Sequence, residues 1–174
     1  MNRRSIDLSD CAGDIVKALR KGILLTTKAG DKVNSMVIGW GTLGINWAKP
    51  VFAAYVRESR YTRQLLDQNP EFTVNVPVGE YDPKIWEICG SKSGRDMDKL
   101  RVAGLTPVPG EKVSVPALRE FPLTLECRVI YRQAQDSALL EGGDRFYPPD
   151  DSGKRDSHVT YYGEVVAAYV LEEE

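Results

Sequence analysis

Between Gly22 and Arg57, strand-like runs follow one another with connections too short to hold a crossover, which restricts the chain more than any other feature. Ile23 to Lys28 reads as one strand, Gly30-Asp31 turns it into a second from Val33 to about Trp40, and a third, Val51 to Arg57, follows Lys49-Pro50. Parallel neighbours need a long connection, so an antiparallel meander is expected. Ahead of it, Ser9 or Asp10 can cap a helix whose apolar positions Ala12, Ile15, Val16 and Leu19 recur at helical spacing, with Gly22 closing it.

Beyond the meander, Ser59 is a good helix cap, Arg60 to Gln68 is helical in composition, and Asn69-Pro70 stops it. A strand is expected from Phe72 to Val76, and short helices around Lys84 to Ile88 and Asp96 to Ala103. The clearest strand runs from Leu123 to Arg132, with Leu123, Leu125, Cys127, Val129 and Tyr131 on one face. Glu141 to Ser157 reads as a loop long enough for a lid or a partner contact, and a last strand runs from about His158 to Leu171. The 174 residues therefore predict one mainly β domain, a small barrel decorated with short helices.

Charge and cysteine usage narrow the function. The formal net charge is -2 and the 23 basic residues are spread along the chain, so neither nucleic acid nor a membrane surface is expected as a partner. Cys11, Cys89 and Cys127 are odd in number and show no C-x-x-C spacing, which argues against a disulfide framework or a zinc site and fits a reducing cytoplasm. Met1 to Asp10 has no apolar stretch that could serve as a secretory signal. The acidic close Glu172-Glu173-Glu174 reads as a solvated terminus.

Gly39-Trp40-Gly41-Thr42-Leu43-Gly44 matches the G-x-G-x-x-G pattern of a dinucleotide-binding turn, yet Asn46, Trp47 and Pro50 arrive before a helix could form. These glycines instead suit a bent strand or a surface against which something flat lies. Two other segments have the composition of phosphate sites. Arg57-Glu58-Ser59-Arg60-Tyr61-Thr62 ends a strand and opens a helix, combining cations, hydroxyls and free N–H groups. Ser91-Lys92-Ser93-Gly94-Arg95 puts cations and hydroxyls on a glycine-containing segment. Asn34, Ser35 and Met36, followed by Trp40, offer polar groups and an aromatic surface suited to a flat heterocycle, although Met36 and Trp40 read equally well as core. His158 is the only histidine and hence the one imidazole candidate for catalysis; a loop-anchoring role competes with a role beside a cofactor.

The ordered set Gly22-Ile23-Leu24-Leu25-Thr26-Thr27, Val33-Asn34-Ser35-Met36-Val37-Ile38-Gly39-Trp40-Gly41-Thr42, Val56 to Thr62, Phe72 to Pro77, Cys89 to Asp96 and Gly104 to Val108 resembles the flavin reductase-like family, especially its flavoredoxin branch. The resemblance implies an FMN-binding split β-barrel, antiparallel and Greek-key-like, that forms a homodimer with FMN held non-covalently near the interface. It implies that Asn34, Ser35, Met36, Trp40, Gly41 and Thr42 line the flavin ring. It implies that Arg57, Ser59, Arg60, Tyr61 and Thr62, with Ser91, Lys92 and Ser93, hold the phosphate. Electrons would pass from transiently bound NAD(P)H, or from a reduced partner protein, through FMN to an acceptor. An FMN carrier without turnover of its own, or a split-barrel binding module without flavin, are the competing readings.

Overall fold

The computed structural model describes residues 1–172, so Glu173 and Glu174 of the acidic close lie outside the described residues. A short strand β1 (Asn2–Ser5) precedes helix α1 (Leu8–Leu19), and strands β2 (Ile23–Ala29), β3 (Lys32–Ile38), β4 (Gly41–Asn46) and β5 (Lys49–Arg57) follow. Helix α2 (Tyr61–Gln68) leads to β6 (Glu71–Val76), and helices α3 (Pro83–Ser91) and α4 (Lys99–Ala103) lead to a small ribbon of β7 (Pro107–Val108) and β8 (Ala117–Leu118). The long strands β9 (Leu123–Ala134) and β10 (His158–Glu172) complete the chain, with two single 3-10 turns, Ser137–Leu139 and Gly143–Arg145, between them. Mostly β, antiparallel and of split-barrel type, the domain matches the expected class. Among the described residues no helix is long and apolar enough to cross a membrane.

Several boundaries differ from expectation, each for a local reason. Asp7, not Ser9 or Asp10, caps α1: its carboxylate accepts the Ser9 N–H at 2.8 Å, leaving Asp10 in the first turn where its charge complements the helix dipole. Arg60 rather than Ser59 is the N-cap of α2, because the Ser59 hydroxyl is engaged elsewhere. Strand β4 was hidden by its turn. Asn46 pairs Lys49 across a two-residue loop, Trp47-Ala48, in which both residues take positive φ (50° and 56°), the mirror-turn geometry that usually announces itself with Asn or Gly. The β2–β3 turn at Gly30-Asp31, by contrast, forms where expected.

The simple meander does not survive. The main sheet runs in the order β3-β2-β6-β9-β10-β5-β4, with β1 added to β10, so β3 and β4 are consecutive in sequence yet lie at opposite ends of that path. Laid flat, the six steps between them would span roughly 29 Å at the usual strand spacing. Only Gly39 and Trp40 separate Ile38 from Gly41, and three steps of extended chain reach about 11 Å at most. The sheet must therefore curl until its two edges meet at Gly39-Trp40, which leaves a seam between β3 and β4.

Curvature requires relief in the long strands. The β9–β10 ladder slips register between Tyr162 and Gly163 and again between Val165 and Ala167, as bulges do where a sheet bends. Inside the curl pack Ile15 of α1, Leu25, Phe52, Phe72, Val74 and Leu125. On the outer side of β2, Leu24 packs against Ile85 and Cys89 of α3, Leu100 of α4 and Phe121, so β2 is covered on both faces and Ile23 to Thr27 are all buried. A fully buried carboxylate, Glu126, fixes the segment before β8 by accepting N–H bonds from Glu111 (2.6 Å), Lys112 (2.6 Å) and Val113 (3.1 Å) and the Tyr169 hydroxyl (2.6 Å). With every oxygen engaged, the cost of burying that charge is met locally.

At the first bulge a methyl group on Gly163 would lie 2.5 Å from Phe72 Cζ and 2.8 Å from Cys127 Cβ, whereas one on Gly44 would meet nothing within 4 Å. In urea titrations Gly163→Ala should lose about 1–3 kcal/mol of stability, the usual cost of overpacking a core. Gly44→Ala should be near neutral, and equal losses in the two variants would contradict this packing.

Candidate functional site

The seam supplies the site. On β3, Asn34 and Met36 share one face, while Ser35 points the opposite way, fully buried, its hydroxyl 2.6 Å from that of Thr26. The face carrying Asn34 and Met36 looks into a cleft of about 160 Å³ whose far walls are Arg60, Tyr61 and Thr62 from the start of α2 and Ser91 to Arg95 from the end of α3. Met36, Val37 and Arg60 continue into a second cleft of about 180 Å³ closed by Trp40, Tyr55, Arg57 and His158. Together they form one groove along β3, polar and cationic at the Asn34 end and aromatic at the Trp40 end.

The two segments singled out as phosphate sites meet across the cationic end. Arg95 Nη2 donates to the Ser59 carbonyl at 3.2 Å, and its guanidinium stands 5.4 Å from the Tyr61 ring centre. Arg60 has no acceptor with which to cap the first turn of α2, so the N–H groups there retain their attraction for an anion. Among the described residues, no ion pair engages Arg60, Lys92 or Arg95. The floor of the cleft is more telling. Asn34 is 2 % exposed and its Nδ2 donates to Thr62 Oγ1 at 2.9 Å, but its Oδ1 is buried with no partner. A Cβ on Gly94 would approach that oxygen to 2.2 Å, so only glycine leaves the space beside it clear. An orphaned acceptor of this kind costs free energy unless a ligand hydroxyl or N–H reaches it.

The remaining candidates divide between the groove and its supports. Ser91 ends α3 and returns its hydroxyl to the Glu87 carbonyl, while the Ser93 hydroxyl accepts the Arg95 N–H at 3.2 Å. Lys92, between them, lines the groove. Thr42 pairs its hydroxyl with that of Tyr55 at 2.7 Å, and Gly41 is a packing glycine, since a Cβ there would lie 2.6 Å from Phe52 Cζ. Arg57 is directed to the long loop: its guanidinium donates to the carbonyls of Asp156 (2.7 Å) and Phe146 (3.0 Å) and lies 5.1 Å from the Tyr147 ring centre. Ser59 does likewise, donating its N–H (3.0 Å) and hydroxyl (2.7 Å) to the Asp156 carboxylate. Buried Lys99, whose Nζ donates to the Cys89 carbonyl at 2.9 Å, holds α4 to α3 beneath the groove; burial pushes its ammonium pKa down. No local pattern marks Tyr55, Lys99 or Tyr147, which become neighbours of the groove only through the topology.

At the aromatic end His158 is the register partner of Arg57 across the β5–β10 ladder. Its ring is nearly buried, with Nδ1 2.7 Å from the Tyr147 hydroxyl and the Trp40 ring centre 5.2 Å away. Burial, then the positive charge of Arg57, lowers its pKa to about 4. At neutral pH the imidazole is uncharged, a hydrogen-bonding group rather than a cation.

Comparison with known proteins gives this geometry a context. A family model described as "Flavin reductase like domain" matches residues 20–174. Curated relatives include a protein of unassigned function from Archaeoglobus fulgidus, 33% identical over 113 residues (64% of this chain and 63% of the relative). Another from Pyrococcus abyssi is 32% identical over 106 residues, 61% of this chain and 59% of the relative. The chain thus spans about six tenths of the length of these relatives. Among solved structures, the flavoredoxin of Desulfovibrio vulgaris (Miyazaki F) superposes with a TM-score of 0.66 at 26% identity, covering 87% of this chain and 69% of that one. A flavoredoxin from Methanosarcina acetivorans gives 0.63 at 29% identity, covering 87% and 68%.

A single imidazole makes the His158 environment directly measurable. The histidine C2–H resonance should titrate with a midpoint near 4 and stay unchanged between pH 6 and 8; a midpoint near 6.5 would show that the ring is not enclosed as described. Because the folded-state pKa lies below the unfolded value, the folded protein binds fewer protons between about pH 4 and 6.5. Stability from the neutral ring is therefore complete above that window and lost as pH falls through it, and His158→Gln should flatten this part of the melting-temperature profile.

Proposed function

The chain belongs to the flavin reductase-like family, and on that premise we propose that it binds FMN along the β3 groove and acts as an oxidoreductase through it. The observation that carries this reading is the unpartnered Asn34 Oδ1 on the floor of a cleft walled by two cationic segments. A phosphate suits Arg60, Lys92 and the uncapped start of α2; a polyhydroxyl linker suits Asn34; a flat ring suits Met36, Val37 and Trp40. The residues present fit the group. Bound there, FMN would supply hydride and single-electron chemistry that no side chain of this protein has.

The protein's own part is to position and to exclude water. Arg60 and Lys92 neutralise the phosphate, and Asn34 gives its free oxygen to a linker hydroxyl. His158, uncharged and steadied by the Tyr147 hydroxyl, presents a hydrogen-bonding edge near the ring without adding a second positive charge beside Arg57. Reduced nicotinamide nucleotide arriving transiently at the Trp40 end is our proposed electron source, with a reduced protein partner as the alternative. Assembly as a homodimer is supported by an apolar surface on the β4–β5 hairpin and β9: Ile45 is 76% exposed, Trp47 52% and Tyr131 45%, the last two ring to ring at 5.5 Å. Three unbridged cysteines fit a cytoplasmic setting.

FMN titration of the apoprotein, followed by flavin absorbance, tests the reading. The wild type should bind one FMN per chain, and Arg60→Ala with Lys92→Ala should weaken it by about a hundredfold or more, as loss of two charge-assisted contacts implies, without shifting the urea midpoint. A wild-type protein that refuses FMN sinks the proposal. Anaerobic NADH or NADPH should then bleach the bound flavin; a spectrum that stays oxidised assigns the electrons to a protein donor. In sedimentation, Ile45→Glu should convert a dimer to monomer, and an unchanged mass removes the hairpin from the interface.

A further inference from the structure

Beyond Trp40 the groove opens into a much larger cavity, about 940 Å³, that shares Gly39, Trp40 and Tyr55 with the ring-end cleft. Its other walls come from α1 and, mainly, from the segment between β9 and β10. Phe146 meets the Trp40 ring edge-on at 5.7 Å and Tyr147 does so at 6.5 Å, so three rings frame the passage between the two spaces. Leu139 and Leu140, 84% and 46% exposed, add apolar surface to the lining.

The polar groups in this lining are nearly all uncharged hydroxyls and amides. Its charged side chains are Arg20 and Asp136, one of each sign, in contrast to the cation-rich phosphate end. A dinucleotide pyrophosphate finds a single cation here, Arg20, offset by Asp136, whereas an uncharged aromatic molecule finds surface of its own kind. Gln135 adds direction. Its Oε1 accepts the Tyr147 hydroxyl at 3.3 Å, which fixes the amide and leaves its N–H groups to donate to a carbonyl within the cavity. The wall itself is anchored, because Arg57 holds the Phe146 carbonyl and the Arg155 guanidinium holds the Tyr147 carbonyl.

We propose that this cavity is a binding site for flat, uncharged aromatic carbonyl compounds of one or two rings, selected by Phe146 and Gln135. The proposal rests on the FMN reading for what becomes of the bound compound, as substrate of the adjoining ring, but on the cavity alone for binding. Selection therefore sits on the β9–β10 segment, apart from the residues that hold the cofactor.

Calorimetric titration with coumarin, a flat bicyclic carbonyl compound, tests it on apoprotein and on FMN-loaded protein, with naphthalene as the same shape lacking the carbonyl. Coumarin should bind one per chain in either form. Phe146→Ala should weaken both compounds by about tenfold, the scale of one lost aromatic contact. Gln135→Leu should weaken coumarin alone, by about fivefold or more, since Tyr147 keeps His158 as its partner. FMN affinity should be the same in both variants. No coumarin binding, or wild-type affinity in both variants, overturns the proposal, as does a Phe146→Ala variant whose only change is in oligomeric mass, which would mean that a second copy fills the space. Binding of coumarin with this pattern by a protein that refuses FMN leaves the cavity standing and removes only the flavin reading.

Discussion

Everything about this molecule follows from the two-residue link between β3 and β4. Strands adjacent in sequence stand at opposite edges of the main sheet path, and covalent geometry allows that only if the sheet curls until the edges meet. Elsewhere hydrogen bonds could be traded for others at modest net cost, but no alternative register reconciles a link of that length with a flat sheet. The bulges at Gly163 and Val165, the glycine that makes room for Phe72, and the buried face of helix α1, Ile15 and Leu19, which packs into the curl, all serve that closure. The groove is what remains where the edges meet without pairing.

A division of labour along that groove follows from charge and packing. The end near α2 and α3 is built from cations and backbone N–H groups, with a buried amide oxygen left without a partner. The other end is built from rings and an imidazole kept neutral by its surroundings. Arg57 and Ser59 lie in the strand-to-helix junction that serves the first end, yet their donors hold the long loop that shapes the second. Asp156 is the hinge of this arrangement, since its carboxylate and its carbonyl take bonds from both residues. The two ends are mechanically joined through one acidic residue, by its side chain and its main chain together.

How much of this was legible from residues alone depends on the range of the signal. Strands with clean apolar alternation, such as β6 and β9, the apolar start of β2, Ile23 to Leu25, and the Gly30-Asp31 turn announce themselves locally. Strand β4 did not, because Trp47-Ala48 adopts positive φ without the residues that normally mark it, and β4 exposes nearly all of its side chains. That omission alone converted a wrapped sheet into an apparent meander. At the site, composition pointed to the two cationic segments and to the β3 residues, and the structure brings both segments to the Asn34 face. Composition could not separate Asn34 from Ser35, which point to opposite faces, nor tell that Arg57 is turned to the loop, since its partners lie about a hundred residues away in the chain. The capping errors at Ser9 and Ser59 are of the same kind: a suitable hydroxyl is common, and which one caps depends on what else is within reach.

The dispersal of the groove's walls has a thermal consequence. Residues 34–40, 55–62, 89–95 and 158 come from four segments that come together as a set only when the curl is complete, so no partly folded form presents the whole binding surface. A ligand that bridges them binds the native state alone, and its mass-action contribution is added to the stability of the entire domain rather than to one hairpin. Pairings this non-local also make for slow folding. Occupancy of the groove would then act as a thermostat: the supply of ligand in the cell sets how long a newly made chain survives heat and proteolysis.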